Sequence, residues 1–576
     1  MKNVCLKILT GVLAVLAMAT AFMSCASDPR GGEGESPEDG FFSISLAIDN
    51  GRPSSRGDIV EDPGTLSENY VLTTTVVLFG KKDNIAKYVF NFTVKTTDDG
   101  TGFEEYYVDD SNWPPAMVPG SRDGSDKFLY SSDGSKGYVT WARKVSKEDY
   151  NMLVLINTPG ENYGGEGDIL AHVSKGAEFG YFMQPFNIEP FTMGYFGVYP
   201  PPSYSYGYYG VATENFFFMS NHQGLVPVSA DDIKGTVTEA NENPVSVMVG
   251  RAVAKVSLNT MYPTVVTGGA SVVFLDWELD VVNRHMYPMR KLTNLLQDGG
   301  GKGAVEAFGD GSLRKNQYAE DPNFTGFSTA AGGTDAEREA QFAYSYKKTI
   351  VNDAAVYTEK YYGNEDYVSI PMYLASTTPN MTPALLYTYD RAAQADPVYC
   401  LENTFDTAEQ NPEIMTAVLV RAKYIPSGLA EDDSYFVYNS KYVSVPQMAG
   451  FADDPASIGG VAGLEGLETA MTAAGLTSSG AVNGLSASFD TKGLSYFHQG
   501  INYYRIPIKH HTDESLNPAD GDYYGYYGVV RNNHYNISIG RVIGPGKPTV
   551  KPDPQVGVQP VITLMAWDEK VLDYDL

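Results

Sequence analysis

Residues 558–576 read Val558-Gln-Pro-Val-Ile-Thr-Leu-Met-Ala-Trp-Asp-Glu-Lys-Val-Leu-Asp-Tyr-Asp-Leu576. In a strand, alternate side chains share a face. The even positions put Ile562, Leu564 and Ala566 together, then Asp568 and Lys570 as one charged break, then Leu572, Tyr574 and Leu576. An apolar stripe at period two predicts a strand. Ahead of it runs Gly544-Pro-Gly-Lys-Pro-Thr-Val-Lys-Pro-Asp-Pro554, which can neither pair as a central strand nor form a helix. Together they predict a strand held away from its own domain on a stiff leash, for delivery to another molecule by strand addition. Six such side chains, at about 1.5–3 kcal/mol each, would contribute on the order of 10 kcal/mol gross. Ordering the tail opposes that gain.

The rest of the composition fits a strand-built protein. The 576 residues allow two to four domains. The 41 tyrosines and 58 glycines, against only 19% charged residues, favour strands and turns over long helices. A net charge of −29 with no basic run argues against nucleic acid as a partner. Two of the three cysteines lie in the first 25 residues, so Cys400 alone remains in the body and an intramolecular disulfide framework is excluded there. No stretch after residue 25 approaches the roughly 18 apolar residues of a membrane span.

Residues 1–25 read as an export signal. Lys2 and Lys7 form the basic end, Ile8 to Met23 the apolar region, and Ser24 precedes Cys25. A cysteine there resembles a bacterial lipobox, with Phe22 in place of the usual leucine and Cys25 as the lipidated residue. Residues 26–40, acidic and rich in Gly and Pro, are expected to be a disordered tether. Phe41-Phe-Ser-Ile-Ser-Leu-Ala-Ile48 then puts Phe42, Ile44, Leu46 and Ile48 on one strand face. Behind it, Asn50-Gly-Arg-Pro-Ser-Ser-Arg-Gly57 is a polar loop of the kind proteases cut. Arg52 precedes proline, which blocks trypsin-like enzymes, so the bond between Arg56 and Gly57 is the better site. Each end of the chain thus carries one alternating strand. Removing the first would open a groove that a second, from a neighbour, could fill.

Along the body, strands are predicted at Val71–Phe79, Lys87–Lys95, Tyr150–Asn157, Phe216–Asn221 and Val245–Leu258, closing a first domain near residue 260. A short Asp-capped helix is predicted at 168–173. Further strands follow at Ala270–Val282, Ala417–Ile425, Tyr503–Ile508 and Tyr527–Ile539. Residues 295–365 read as a surface loop region, and Leu464, Leu467, Met471 and Ala474 mark one short amphipathic helix over 463–475.

These segments together resemble the fimbrillins, the type V pilins of Bacteroidales, and among them the major subunits of short fimbriae. The likeness rests on the Cys25 lipobox, the Arg56 loop, Met152-Leu-Val-Leu-Ile-Asn157, Arg251-Ala-Val-Ala-Lys255 and Val418-Leu-Val-Arg-Ala-Lys423. It continues with Tyr504-Arg-Ile-Pro-Ile-Lys509, Gly528-Val-Val-Arg-Asn-Asn533, Trp567 and Asp573-Tyr-Asp-Leu576. The resemblance implies a mainly β fold of two β-sandwich, transthyretin-like domains, at 57–259 and 260–543, with tether and donor strand at 544–576. It implies an outer-membrane lipoprotein precursor cut after Arg56 by an Arg-specific protease, which removes the propeptide 26–56. It implies partners in neighbouring copies of the chain, in anchor and tip proteins, and in a host or bacterial surface ligand. The donor residues carried over are Ile562, Leu564, Ala566, Leu572, Tyr574 and Leu576. The inserts around 100–135, 180–210 and 295–365 depart from the family and bear on adhesive specificity rather than assembly.

Chemistry is not evident. His510 and His511, adjacent in a strand, face opposite sides and read as surface residues, while His534 reads as a sheet residue. No His pair has zinc spacing and no Cys cluster exists. Asp98-Asp-Gly-Thr-Gly102 and Asp520-Gly-Asp522 read as turns rather than calcium loops. Neither a nucleophile elbow nor a phosphate loop is present. The expectation is no catalysis, no metal and no cofactor. Tyr199-Pro-Pro-Pro-Ser-Tyr-Ser-Tyr-Gly-Tyr-Tyr-Gly210 is either a binding surface or a loop packed on its own domain. The rival function is a surface glycan-binding lipoprotein; within the fimbrial reading, the rival is a tip or anchor subunit.

Overall fold

The computed structural model describes residues 38–48, 61–62, 71, 73–96, 103–108, 117–118, 129–130, 138–139, 142–158, 169, 173–187, 212–213, 216–222, 224–259, 265–291, 321–324, 333–351, 354–359, 372–373, 398–404, 411–510, 528–552 and 558–567. The described chain is mainly strand, with a few short helices. None of those helices is long and apolar enough to cross a membrane.

The first part builds one twisted sheet. Its strands are β1 (Asp39–Phe42), β2 (Ile44–Ile48), β3 (Thr73–Gly80), β4 (Ala86–Thr96), β5 (Tyr150–Ile156), β6 (Met219–Asn221) and β7 (Val245–Arg251). The order across the sheet is β4-β3-β5-β6-β7-β2, with two-residue strands beyond at 138–139 and 129–130 and further strands beyond β4; β1 pairs separately with Arg143–Ser146. β3 (Thr-Thr-Thr-Val-Val-Leu-Phe-Gly) and β5 (Tyr-Asn-Met-Leu-Val-Leu-Ile) are buried on both faces over most of their length, as their β-branched and apolar residues predict. β4 alternates, and Phe90 and Phe92 go inward. α1 (Val237–Glu242) opens on a capping box between Thr236 and Glu239.

The chain then changes sheets. β7 pairs with β6 and β2, but β8 (Val253–Asn259), one residue on, pairs with other strands. The handover falls at Ala252, ahead of the boundary expected near residue 260. β8 enters a second sheet in the order β10-β8-β13-β14, where β10 is Val398–Leu401, β13 Asn533–Val542 and β14 Val558–Trp567. A third sheet runs β9-β11-β12: Ser271–Asp280, Ala417–Ile425 and Ile501–Pro507. Both of these sheets feed one core, which includes Val256, Tyr535 and Ile537 from one and Trp277, Val418 and Ile506 from the other.

Two regions differ from the sequence expectation. Residues 295–365 are not all surface loop: α2 (Asp335–Gln341) leads into Phe342-Ala-Tyr-Ser-Tyr346, whose aromatic rings are buried with Val281, Ile414, Leu419 and Val550. Three aromatic rings at alternate positions supply enough apolar area to fold a segment whose Gly, Asp and Asn content reads as loop. Between β11 and β12, the region predicted to hold one helix forms a unit with its own core. It holds a four-stranded sheet and three helices, α3 (Val445–Asp453), α4 (Leu467–Ala473) and α5 (Ser479–Asn483). The chain leaves at Ile425 and returns at Ile501, which pairs opposite Lys423, so the unit is an excursion that leaves the sheet register intact. Leu464, Leu467 and Met471 are buried in it as predicted. The predicted helix at 168–173 and the tyrosine-rich 199–210 stretch lie mostly or wholly outside the described residues.

Candidate functional site

The two strands singled out from the sequence each end in a sheet. β2 lies inside the first sheet, parallel to β7 from Ile44↔Val245 to Ile48↔Val249 and antiparallel to 138–139 at Ser45 and Leu46. Phe42, Ile44 and Leu46 are buried. Their backbone is pinned from a third direction: Phe41 and Lys234 exchange both N–H···O bonds at 2.8 Å. The Ser43 hydroxyl donates to the Ala240 carbonyl at 2.6 Å and the Val245 N–H donates to the Ser43 carbonyl at 2.9 Å. Burying these three side chains stabilises the fold by roughly 1.5–3 kcal/mol each.

β14 runs antiparallel to β13 from Asn533↔Ala566 to Val542↔Val558, with a bulge between Ile539 and Arg541. Opposite residues in an antiparallel pair share a face. In the register Ile562 pairs with Ile537 and Leu564 with Tyr535, and those two residues of β13 are fully buried. The far edge of β14 is covered by Glu61–Asp62, parallel, at Ala566 and Trp567. The tether does not hold the strand away from the domain, as its prolines suggested. Tyr503 and Lys547 exchange two backbone hydrogen bonds at 2.8 and 2.9 Å, and Val550 is buried. Gly546 permits this approach, since a Cβ there would stand 2.3 Å from the Tyr503 carbonyl oxygen. One edge bridge at a lysine between prolines suffices, because proline forbids pairing only at its own nitrogen.

The entry to β13 is a buried polar joint that ties together the motifs carrying the family resemblance. The Arg251 guanidinium donates to the Asn532 side-chain oxygen at 3.0 Å, and the Asn532 N–H donates to the Val253 carbonyl at 2.7 Å. Arg531 donates to Glu402 at 2.8 Å, and Arg290 faces the other Glu402 oxygen at 3.5 Å; all three are almost wholly buried. Asn532 adopts a left-handed φ of 64°, which asparagine tolerates. Gly528, at φ 106°, lets the loop press on Asn403, whose carbonyl oxygen a Cβ would meet at 2.0 Å. Arg505 donates to Asp280 at 2.8 Å and to the Met415 carbonyl at 2.8 Å, and Arg421 grips Asp276 through two 3.0 Å bonds from its Nε. Composition gave no sign of these pairs. A charged residue inside an otherwise apolar strand run, as in Arg251 or Glu402, is the signal that was available.

His510 is buried, contrary to the surface placement expected. Its Nδ1 sits 2.7 Å from the Tyr535 hydroxyl, which also accepts from the Val530 N–H at 2.7 Å. His534 is a sheet residue, 2.8 Å from the Ser257 hydroxyl. Asp321 is buried under donors from Asn283, Asn323 and Thr404, and desolvation pushes its carboxyl up to about 7. Burial pushes the Cys400 thiol up to about 12. Among the described residues no group of His, Cys, Asp and Glu could hold a metal ion. Cys25, Arg56, Gly57, Leu572, Tyr574 and Leu576 lie outside the described residues, as do both Asp-Gly turns.

Residues 495–572, which span β12 to the predicted tail, match the family model "Major fimbrial subunit protein type IV, Fimbrillin, C-terminal". No curated protein matches the chain in sequence. Among solved structures, a candidate cell adhesion protein from Parabacteroides distasonis is 12% identical, covers 92% of this chain and 100% of its own, and has a TM-score of 0.39. One from Bacteroides eggerthii is 10% identical over 93% and 98%, with a TM-score of 0.36. The C-terminally truncated tip fimbrial protein of Porphyromonas gingivalis is 11% identical over 92% and 100%, with a TM-score of 0.33. The sequence-level resemblance is therefore met at the C-terminal end, where the chain is fimbrillin-like, and the fimbrillins are a structural rather than an enzymatic family.

Proposed function

We propose that this chain is a structural subunit of a cell-surface fimbria, in the major-subunit role, that polymerises by exchange of its C-terminal strand and serves adhesion. The precursor is exported as an outer-membrane lipoprotein through Cys25, and cleavage between Arg56 and Gly57 removes the lipid together with β1 and β2. Each mature subunit, of two β-sandwich domains at 57–259 and 260–543, then gives residues 558–576 to the next. The partners are copies of itself, anchor and tip proteins, an Arg-specific protease and a surface ligand.

One observation carries this reading. β2 is an interior strand with buried Ile44 and Leu46, and the chain just behind it holds the Arg56 loop. An interior strand that is cut away leaves two unpaired strand edges and an apolar slot, which only another strand of matching alternation closes well. The test is the N-terminal residue of the protein in sheared surface material. A start at Gly57 is expected. A blocked N-terminus at a lipidated Cys25, in protein that stays with the membrane, would overturn the shaft role and favour an anchor or a glycan-binding lipoprotein.

A further inference from the structure

The tail and the first strand share a local pattern that fixes how one would replace the other. β2 reads Ile44-Ser-Leu-Ala-Ile48, and the middle of β14 reads Ile562-Thr-Leu-Met-Ala566. Isoleucine, a hydroxyl residue and leucine recur in the same order, followed by two apolar residues. The geometry points to one register of exchange: in the slot of the next copy of this chain, Ile562, Thr563, Leu564, Met565 and Ala566 take the places of Ile44, Ser45, Leu46, Ala47 and Ile48, in the same direction along β7. The inference rests on the strand-exchange reading above and deepens it.

Each position has a physical reason. Leu46 is buried opposite Val247, itself 1% exposed, so the slot offers a site of leucine size where Leu564 would stand. On the other face, the Ser45 and Ser246 hydroxyls are 3.2 Å apart, and Thr563 returns a hydroxyl to that spot. Ala47 stands beside Met248, which is 47% exposed, a large apolar side chain left open to water. Met565 in place of Ala47 would cover it, so the exchanged state buries surface that the precursor leaves bare. Upstream the match stops where the precursor strand also changes partner: Phe42 and Ser43 would map to Pro560 and Val561, and β1 pairs with 143–146 instead of β7. A slip of one residue would put the apolar row on the wrong face. A slip of two keeps the faces but sets Val561 or Met565 at the Ser246 position.

The register is read by disulfide trapping of protein cleaved after Arg56. Neighbouring strands lie about 4.8 Å apart, inside the Cα separation a disulfide spans, whereas a slip of two residues adds about 6.6 Å along the strand and moves the pair out of reach. Three double variants are compared under mild oxidation: Ser246→Cys with Thr563→Cys, with Val561→Cys and with Met565→Cys. The expected result is a heat-resistant covalent ladder, collapsing to monomer on reduction, at least about tenfold stronger for the Thr563 pair. A stronger ladder from the Val561 or Met565 pair overturns the register and leaves strand exchange standing. Non-covalent filaments that none of the three pairs can trap place the tail elsewhere and overturn it as well. Cleaved wild-type protein that forms no filaments at all removes the exchange reading, and the register goes with it.

Discussion

β2 and β14 are both apolar alternating strands, yet the fold holds them by different means. β2 is an interior strand, flanked by β7 and by residues 138–139, and its neighbours would have to part for it to leave. β14 has a long ladder on one side only; its other edge is met at Ala566 and Trp567 alone among the described residues. Stability is not uniform across a protein, and edge elements open more cheaply than interior ones. The first strand therefore needs its covalent link cut before it can be lost for good, while the last can peel away and return. On the proposed function, such a subunit would stay monomeric before processing and become competent after it.

The largest expected effect comes from removing the peelable strand. Deleting residues 558–576 should abolish ladder formation by the cleaved protein, while the uncleaved precursor keeps a folded N-terminal sheet by near-ultraviolet circular dichroism. Filaments of unchanged length from the truncated chain would show that β14 takes no part in assembly.

Next is the polar joint, which supports β13 and so the ladder beneath β14, and which meets β7, the partner of β2, through Arg251 at that strand's end. Glu402→Ala leaves the buried Arg531 and Arg290 without their carboxylate, a change that typically costs about 3–5 kcal/mol. Amide exchange should rise first over 533–542 and 558–567 and leave 150–156 protected. Equal loss of protection in both sheets would mean that the two halves unfold as one unit and that the contrast between their strands is not local.

A paired substitution probes the strands themselves. Leu46→Ala should lower precursor stability to urea by about 2–5 kcal/mol, because it empties a closed interior site. The same change should leave filaments of the mature protein untouched, since the residue is gone from them. Leu564→Ala should do the reverse, with a smaller loss in the precursor and markedly weaker ladders. If Leu46→Ala weakens mature filaments, the first strand was never removed.

How much of this was legible follows from what each signal reports. Period-two alternation reports burial on one face, so β2 and β4 are legible in the sequence. Pairing partners are not encoded locally, and nothing in 245–259 announced that β7 and β8 serve different sheets. The reading of 463–475 found one helix of the three around it because only there does apolar spacing run clean. Ser444-Val-Pro-Gln447 carried the other signal, a capping box with proline in the first turn, and opens α3. The burial of His510 was hidden because its partner Tyr535 lies 25 residues on. The tether's course is hidden for a different reason: proline content reports which nitrogens cannot donate, not whether the chain lies down on a neighbour.

The smallest expected effect is one of pH, and it should appear on one side of the comparison only. The Asp321 carboxyl, desolvated beside the polar joint, is pushed up to about 7, against an ordinary value near 3.9 in the unfolded chain. A raised folded value means the folded state holds a proton the unfolded state has released. The stabilisation is thus fully present below about pH 4 and is lost as pH rises through 7. Asp321→Asn removes this titration, so the difference in urea midpoint between variant and wild type should drift across pH 4 to 7 and level off above 8. Protection of β13 should follow the drift, and protection of β5 should not. A midpoint difference that is flat across the range would mean the four donors from Asn283, Asn323 and Thr404 hold the carboxylate ionised throughout.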